Sequence, residues 1–163
     1  MKSVLGYILL TVLFFLIQFT VAPFLTVIHI APDILLIWLV YIAIRQGQTT
    51  ATAAGFIIGL LLDLTSGADG MLGLAALSKS VGGFVAGYFY NENRMLQILG
   101  GYQFVVAVGV AGLAHNALYF LIFLQGTEIG WSGSLLSYAI PASAYTALVA
   151  LLPVFVFSRK YAV

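Results

Sequence analysis

The sequence predicts an all-α integral membrane protein whose six transmembrane helices form one bundle, with both termini in the cytoplasm. The first observation behind this prediction is composition: of 163 residues, 63% are hydrophobic and 7% are charged, and the mean hydropathy is +1.12. A soluble domain carries about a quarter of its residues as charged ones, so this chain has too little charge to cover a surface that faces water. The other two observations are long apolar runs and a one-sided distribution of basic residues.

Apolar runs define the predicted helices, because a helix that crosses the hydrocarbon core needs about 20 mostly apolar residues. We predict helices over residues 4–22, 33–44, 49–64, 71–90, 97–124 and 134–157. The loops between them are short, so residues 1–163 are predicted to form a single transmembrane domain. Pro141 and Pro153 are expected to kink the last helix.

The first run begins like a signal peptide, with Lys2 ahead of apolar residues. The run is about as long as a full span needs. Pro23 also follows Ala22, where a small-residue cleavage site would have to lie. We therefore interpret residues 1–22 as an uncleaved first helix.

The stretch 33–65 is divided by Arg45-Gln-Gly-Gln48. A single long helix would place Arg45 in the middle of the membrane beside a glycine. Two short helices joined by a tight polar turn avoid that cost, and a short span can be accommodated by local thinning of the bilayer. The sequence therefore favours two crossings here.

The basic residues support six crossings. With that count, one face of the membrane receives Lys2, Arg45, Arg94, Arg159 and Lys160. The opposite loops, around 23–32, 65–70 and 125–133, contain no Lys or Arg. The positive-inside rule then places both termini in the cytoplasm. Five crossings would scatter the basic residues over both faces.

Small residues four apart predict close contact between the third and fourth helices, since membrane helices associate through close packing. Gly55 and Gly59 form one GxxxG motif, and Gly83 and Gly87 form another. Asp63 continues the stripe of the third helix. Repetition on two neighbouring helices predicts a tight central bundle.

Lys79 is a basic residue inside a predicted span and shares its helix face with glycines. An intramembrane charge is expensive and suggests function. Because side chains tilt toward the helix N-terminus, we hypothesise an ion pair with Asp63 at the outer end of the third helix. A lysine that snorkels alone to the interface and a contact with a transported ligand are the alternatives.

Most other function classes lack the residues that they need. The chain has no cysteine, its net charge is +1, and His29 and His115 are far apart, so metal sites, thiol chemistry and nucleic-acid binding are not expected. No nucleophile–base–acid set can be assembled. We predict no enzymatic activity and no cofactor. His115-Asn116 is interpreted as an interhelical hydrogen-bonding pair, with pore or ligand residues as the alternative.

Two short segments are typical of helix ends. Pro32-Asp33 suits the start of the second helix, where proline fits the first turn and aspartate complements the dipole. Asp63-Leu-Thr-Ser66-Gly67 suits the end of the third, where glycine favours a left-handed turn.

The order of motifs between residues 32 and 87 resembles the rod shape-determining protein MreD family. The shared elements are a Pro-Asp helix start, a short basic-Gly turn at Arg45, a Gly-x-x-x-Asp-x-x-Ser-Gly segment, and a Gly-Leu followed by a Gly-x-x-x-Gly helix. The candidate family-motif and helix-packing residues are Pro32, Asp33, Arg45, Gly55, Gly59, Asp63, Ser66, Gly67, Gly73, Lys79, Gly83 and Gly87.

The resemblance implies a non-enzymatic scaffold of the bacterial cell-elongation machinery in the inner membrane. Its implied partners are the single-span periplasmic protein MreC and, directly or indirectly, the MreB filament and the peptidoglycan synthases; a homodimer is also left open. The implied fold is similar to that of the substrate-binding subunits of energy-coupling-factor vitamin transporters. Such a subunit is therefore the alternative function. The first helix, however, lacks the Ala-x-x-x-Ala stripe with which those subunits dock to their transport partner.

Overall fold

The computed structural model describes residues 2–28, 30–65, 71–125, 128 and 130–161, and this part of the chain is almost entirely helical. The α-helices are α1 (Lys2–Thr20), α2 (Ile34–Gln46), α3 (Gln48–Thr65), α4 (Leu74–Ala86), α5 (Met95–Leu99), α6 (Tyr102–Phe123), α7 (Trp131–Ser134), α8 (Ile140–Val149) and α9 (Leu151–Tyr161). An isolated bridge between Val27 and Ile30 closes a turn between α1 and α2.

The predicted break between the second and third helices is confirmed at Gly47. This residue has φ of 87°, a left-handed conformation that suits glycine, and it ends α2 directly before α3 begins. Arg45 lies in the last turn of α2, and not in the connection itself. Both helices are therefore slightly longer than predicted.

The α2 helix is the central element of the bundle. Nine of its 13 residues are buried, and it contacts α1, α3, α4, α5, α6 and α8. Trp38 stacks between Phe14 of α1 and Tyr41, and its indole nitrogen donates to Thr11 Oγ1 at 2.9 Å. The leucine-rich sequence of α2 therefore packs against protein on nearly every side.

The helices predicted from residue 71 onward are interrupted in the structure. The helix predicted over 71–90 is α4 followed by a 3₁₀ turn at Gly87–Phe89, and the one over 97–124 is split by Gly100 and Gly101 into α5 and α6. Glycine pairs favour such a break because they lose most conformational freedom in a helix.

The last predicted helix, over 134–157, begins earlier, at Trp131, and is irregular at two points. A π-helical turn at Leu135–Ala139 precedes Pro141, and Ala150 separates α8 from α9 three residues before Pro153. Each irregularity lies within a turn of a proline, which cannot donate the backbone hydrogen bond of a regular helix. The helix is thus irregular near both prolines, where the kinks were predicted.

Three helices of the described chain are long and apolar enough to cross a membrane: Gln48–Thr65, Tyr102–Phe123 and the continuous stretch Trp131–Val156. Val4–Thr20 and Ile34–Gln46 are shorter apolar helices. The structure thus has the helical, apolar architecture of a membrane protein.

Candidate functional site

The start of α2 is held by side chains from its own cap and from α1. Asp33 is the N-cap, and its Oδ1 accepts from the backbone N–H of Leu36 at 2.8 Å. Gln18 of α1 accepts from the N–H of Ile34 at 2.8 Å and donates to the carbonyl of Pro32 at 3.3 Å. These bonds satisfy backbone groups that a helix start leaves without partners, and they fix the position of the Asp33 carboxylate. Pro32 is buried and precedes the cap, so it lies one step before the helical turn where it was predicted.

The Asp33 carboxylate joins two basic side chains from other helices. Its Oδ2 forms an ion pair with Nζ of Lys79 in α4 and lies 3.4 Å from Nε2 of His115 in α6. The side chain of Lys79 is 2% exposed and that of Asp33 is 19% exposed. We call Asp33, Lys79 and His115 the polar cluster; it connects α2, α4 and α6.

Burial explains why these groups converge. A charged side chain loses its hydration inside a protein, and the loss is compensated only by an opposite charge with good hydrogen bonds. Lys79 therefore needs a carboxylate, and Asp33 supplies one. The pair is neutral as a unit, which is the form in which two charges are least costly inside a membrane.

Further hydrogen bonds connect the polar cluster to α8. Thr146 Oγ1 accepts from the backbone N–H of Asp33 at 3.1 Å. Directly after His115 in α6, Asn116 donates to Ser143 Oγ at 3.0 Å, and Ser143 donates to the carbonyl of Ala139. The interhelical hydrogen bonding predicted for His115-Asn116 is confirmed for Asn116, whereas His115 approaches Asp33 at 3.4 Å.

Asp63 has a different partner from the one predicted. Its two carboxylate oxygens accept from the backbone N–H groups of Gly73, Ala75 and Ala76, each at 3.0 Å. It thereby caps the start of α4, where the helix dipole favours a negative charge. The hypothesis of a Lys79–Asp63 ion pair is wrong, because backbone amides satisfy Asp63 and Lys79 binds Asp33.

The two GxxxG motifs bring α3 and α4 together as predicted. A methyl group at Gly55 would overlap the backbone carbonyl of Lys79, and one at Gly59 would overlap the backbone at Ala75. On the side of the second motif, a methyl group at Gly83 would overlap the backbone of Ala51, and Gly87 lies against Gln48. Both motifs therefore lie in the contact between α3 and α4.

The remaining candidate residues lie outside the polar cluster. Arg45 Nη1 contacts Met95 Sδ at 3.3 Å. Gly73 has φ of 93° and precedes the first residue of α4, so a left-handed turn starts that helix. Ser66 and Gly67, predicted to end the third helix, lie outside the described residues.

Sequence reasoning missed His115, Thr146 and Gln18 as neighbours of Asp33. His115 lies four residues after Ala111 on a small-residue face of α6, and Ala107 and Ala111 are buried there. That face predicts contact with other helices, but it does not name the partner. Gln18 carries a weaker signal: it is a polar residue in an otherwise apolar helix.

This arrangement can hold helices in place. Asp33 is engaged by Lys79, by His115 and by the backbone of its own helix. The carboxylate of Asp63 is occupied by the first turn of α4. The geometry is that of a structural core which fixes four helices around α2.

Comparison with known families gives a match to the model of the rod shape-determining protein MreD over residues 1–161. No curated protein and no solved structure matches the chain. The family match extends well beyond the motifs between residues 32 and 87 and includes nearly the whole chain. MreD proteins determine rod shape and are not a known enzyme family. The chain therefore belongs to the MreD family of rod shape-determining membrane proteins.

Proposed function

We propose that this protein is a non-enzymatic scaffold of the cell-elongation machinery, which binds MreC and helps to organise peptidoglycan synthesis around the MreB filament. The observation that carries the proposal is the family match over residues 1–161. The polar cluster agrees with a structural role, because its charged groups bind one another. No observation on the described residues favours the vitamin-transporter alternative.

We further propose six crossings of the bacterial inner membrane with both termini in the cytoplasm. The turn at Gly47 supports separate crossings for α2 and α3. A helix of 13 residues is about 20 Å long, which is short for a hydrocarbon core of about 30 Å. Since α2 is mostly enclosed by other helices, its length need not match the thickness of the lipid.

A partner helix needs a surface other than the GxxxG motifs, because α3 and α4 use both motifs against each other. A cleft of about 310 Å³ lies between α1 and α3, with Ile42 and Gln46 of α2 also lining it. Its α3 wall includes Thr50 and Ala54, two small residues one turn apart. Small residues allow close approach of membrane helices, so we propose that the MreC helix packs in this cleft.

Co-purification and crosslinking test this proposal. The chain contains no cysteine, so Thr50→Cys gives a single reactive site in the cleft. Co-expressed with MreC carrying single cysteines along its membrane helix, it should form disulfides at positions three or four apart, which is the spacing of one helix face. The matched control is Leu152→Cys, which lies in a separate cleft formed by α1, α2, α6 and α9.

The results separate the two levels of the proposal. Crosslinks at Leu152→Cys alone would move the partner to the other cleft and leave MreC binding intact. Absence of MreC from the purified wild-type protein would contradict the scaffold function itself. In a rod-shaped host, deletion of the gene is expected to give round cells, and rod shape should return with the wild-type gene.

A further inference from the structure

The connection between α4 and α6 forms a pocket that the scaffold function does not use. It is a cavity of about 300 Å³ between the end of α4 and the start of α6. The residues that line it are Tyr88, Phe89, Tyr90, Asn91, Arg94, Ile98, Tyr102, Gln103 and Val106. We call it the Arg94 pocket. Its lining combines aromatic and aliphatic surface with one guanidinium and two amides.

The local sequence explains how the pocket forms. The chain leaves α4 through the 3₁₀ turn Gly87–Phe89 and reverses at Asn91, whose Oδ1 accepts from the N–H of Asn93 at 3.1 Å. The short helix α5 and the Gly100-Gly101 break then return the chain to Tyr102, the first residue of α6. Phe84 contacts the ring of Tyr88 edge-on, with centroids 5.5 Å apart.

The polar groups of the pocket have unused bonding capacity. Within the described chain, no carboxylate lies within ion-pairing distance of the Arg94 guanidinium. The hydroxyls of Tyr88, Tyr90 and Tyr102 form no hydrogen bond with described residues, and Tyr88 and Tyr102 are 72% and 76% exposed. A guanidinium and three hydroxyls that line one cavity form a donor set suited to a phosphate.

The charge of the lining limits the ligand further. No acidic residue lines the pocket, so a cationic amine on the ligand would find no carboxylate counter-charge there. The aromatic and aliphatic part of the lining favours a ligand that also carries apolar surface. Tyrosine is enriched where lipid head groups meet the hydrocarbon core, and the proposed topology places this connection at that level on the cytoplasmic side.

We propose that the Arg94 pocket binds an anionic phospholipid that lacks an amine, with Arg94 on the phosphate and the three tyrosines around the glycerol region. This inference rests on the proposed topology for the leaflet, but not on MreC binding. The chemistry is recognition of a phosphodiester attached to apolar chains. Such a site would tie the α4–α6 connection to anionic lipid at the membrane surface.

Lipid retention by the purified protein tests the proposal. The full chain is extracted, exchanged into mixed micelles with equal phosphatidylglycerol and phosphatidylethanolamine, and analysed by native mass spectrometry. We expect preferential retention of one phosphatidylglycerol by the wild type and about tenfold weaker retention by Arg94→Gln, the loss typical of one charge-assisted contact. Arg94→Lys should fall between them, because lysine keeps the charge but cannot bind in a bidentate manner.

Arg159→Gln is the matched control, because it also removes one positive charge, from α9. Equal losses in Arg94→Gln and Arg159→Gln would overturn the proposal in favour of general charge attraction, and so would wild-type retention by Arg94→Gln. Displacement of the lipid by millimolar glycerol 3-phosphate would instead assign the pocket to a soluble phosphate. That result would overturn the proposal that the ligand is a phospholipid. Arg94→Gln should still co-purify with MreC, so failure of the two proposals can be distinguished.

Discussion

Asp33 and Asp63 are both buried or nearly buried aspartates that cap the start of a helix, yet they are satisfied in opposite ways. Asp63 binds three backbone N–H groups of the α4 start and, among the described residues, no cation. Asp33 binds one backbone N–H of α2 and two basic side chains. The number of available amides decides the difference: a carboxylate saturated by backbone does not need a lysine, whereas one with a free oxygen can compensate a buried charge.

The comparison explains what each acid holds together. Asp63 joins the end of α3 to the start of α4, two helices that are neighbours in sequence. Asp33 joins α2 to α4 and α6, which are distant in sequence, and through its backbone N–H also to α8. Removal of Asp33 is therefore expected to loosen the whole bundle, whereas removal of Asp63 should loosen one hairpin.

The largest effect is expected for Asp33→Asn. The amide keeps the size of the side chain but leaves Lys79 buried without a counter-charge, which should destabilise the protein by about 3–5 kcal/mol. The measurement is unfolding by SDS in mixed micelles, followed by tryptophan fluorescence. Glu92→Gln removes an exposed acid and serves as the control, with an expected effect within about 0.5 kcal/mol. Equal stability of the two variants would show that the polar cluster does not stabilise the fold.

The next effect is expected for Gly59→Ala, which tests the hairpin without changing any charge. The added methyl would overlap the α4 backbone at Ala75, so α3 and α4 must separate, at a cost of about 1–3 kcal/mol. Gly109→Ala is the matched control, since its methyl would lie 3.7 Å from Ala147 Cβ, an ordinary contact. The same unfolding measurement applies. A loss as small as that of Gly109→Ala would contradict the close approach of the two helices.

A smaller loss, about 1–2 kcal/mol, is expected for Asp63→Asn, which is the upper part of the range measured for loss of a helix cap. The amide retains one acceptor oxygen, so part of the cap of α4 persists, and no buried cation is left without a partner. The unfolding midpoint should therefore lie between those of wild type and Asp33→Asn. A midpoint below that of Asp33→Asn would reverse the ranking of the two acids.

The smallest effect is expected for His115→Gln, about 0.5–1 kcal/mol. The Nε2–Oδ2 distance of 3.4 Å is long for a hydrogen bond, and Lys79 remains on the carboxylate. Unfolding of this variant should stay close to wild type. A loss as large as that of Asp33→Asn would make His115, and not Lys79, the principal partner of Asp33.

Sequence reasoning predicted the features that depend on local pattern. The GxxxG stripes predicted the α3–α4 contact because small residues four apart lie on one helix face wherever the helix is placed. The Gly47 turn was predictable for a similar reason, since a polar segment with glycine interrupts an apolar run. Lys79 was identified as a buried charge from its position among glycines.

The partner of Lys79 could not be predicted because two acids, Asp33 at the start of α2 and Asp63 at the end of α3, are predicted to lie at the same end of the bundle. The tilt of a side chain toward its helix N-terminus restricts the depth of the lysine ammonium group in the membrane. It does not determine which neighbouring helix the lysine faces. The position of α2 in the centre, with six helices around it, brings Asp33 to Lys79. That arrangement is a property of the whole bundle, and the spacing of residues in the sequence does not predict it.

Two double-mutant cycles in the SDS-unfolding assay test most directly whether Lys79 belongs to Asp33. The first combines Lys79→Met with Asp33→Asn, and the second combines Lys79→Met with Asp63→Asn. Residues in contact show coupling energies of about 0.5–3 kcal/mol, whereas independent sites add within about 0.5 kcal/mol. We predict a coupling near the upper end of that range for the Asp33 cycle and near-additivity for the Asp63 cycle; strong coupling of Lys79 to Asp63, with none to Asp33, would contradict the structure of the polar cluster.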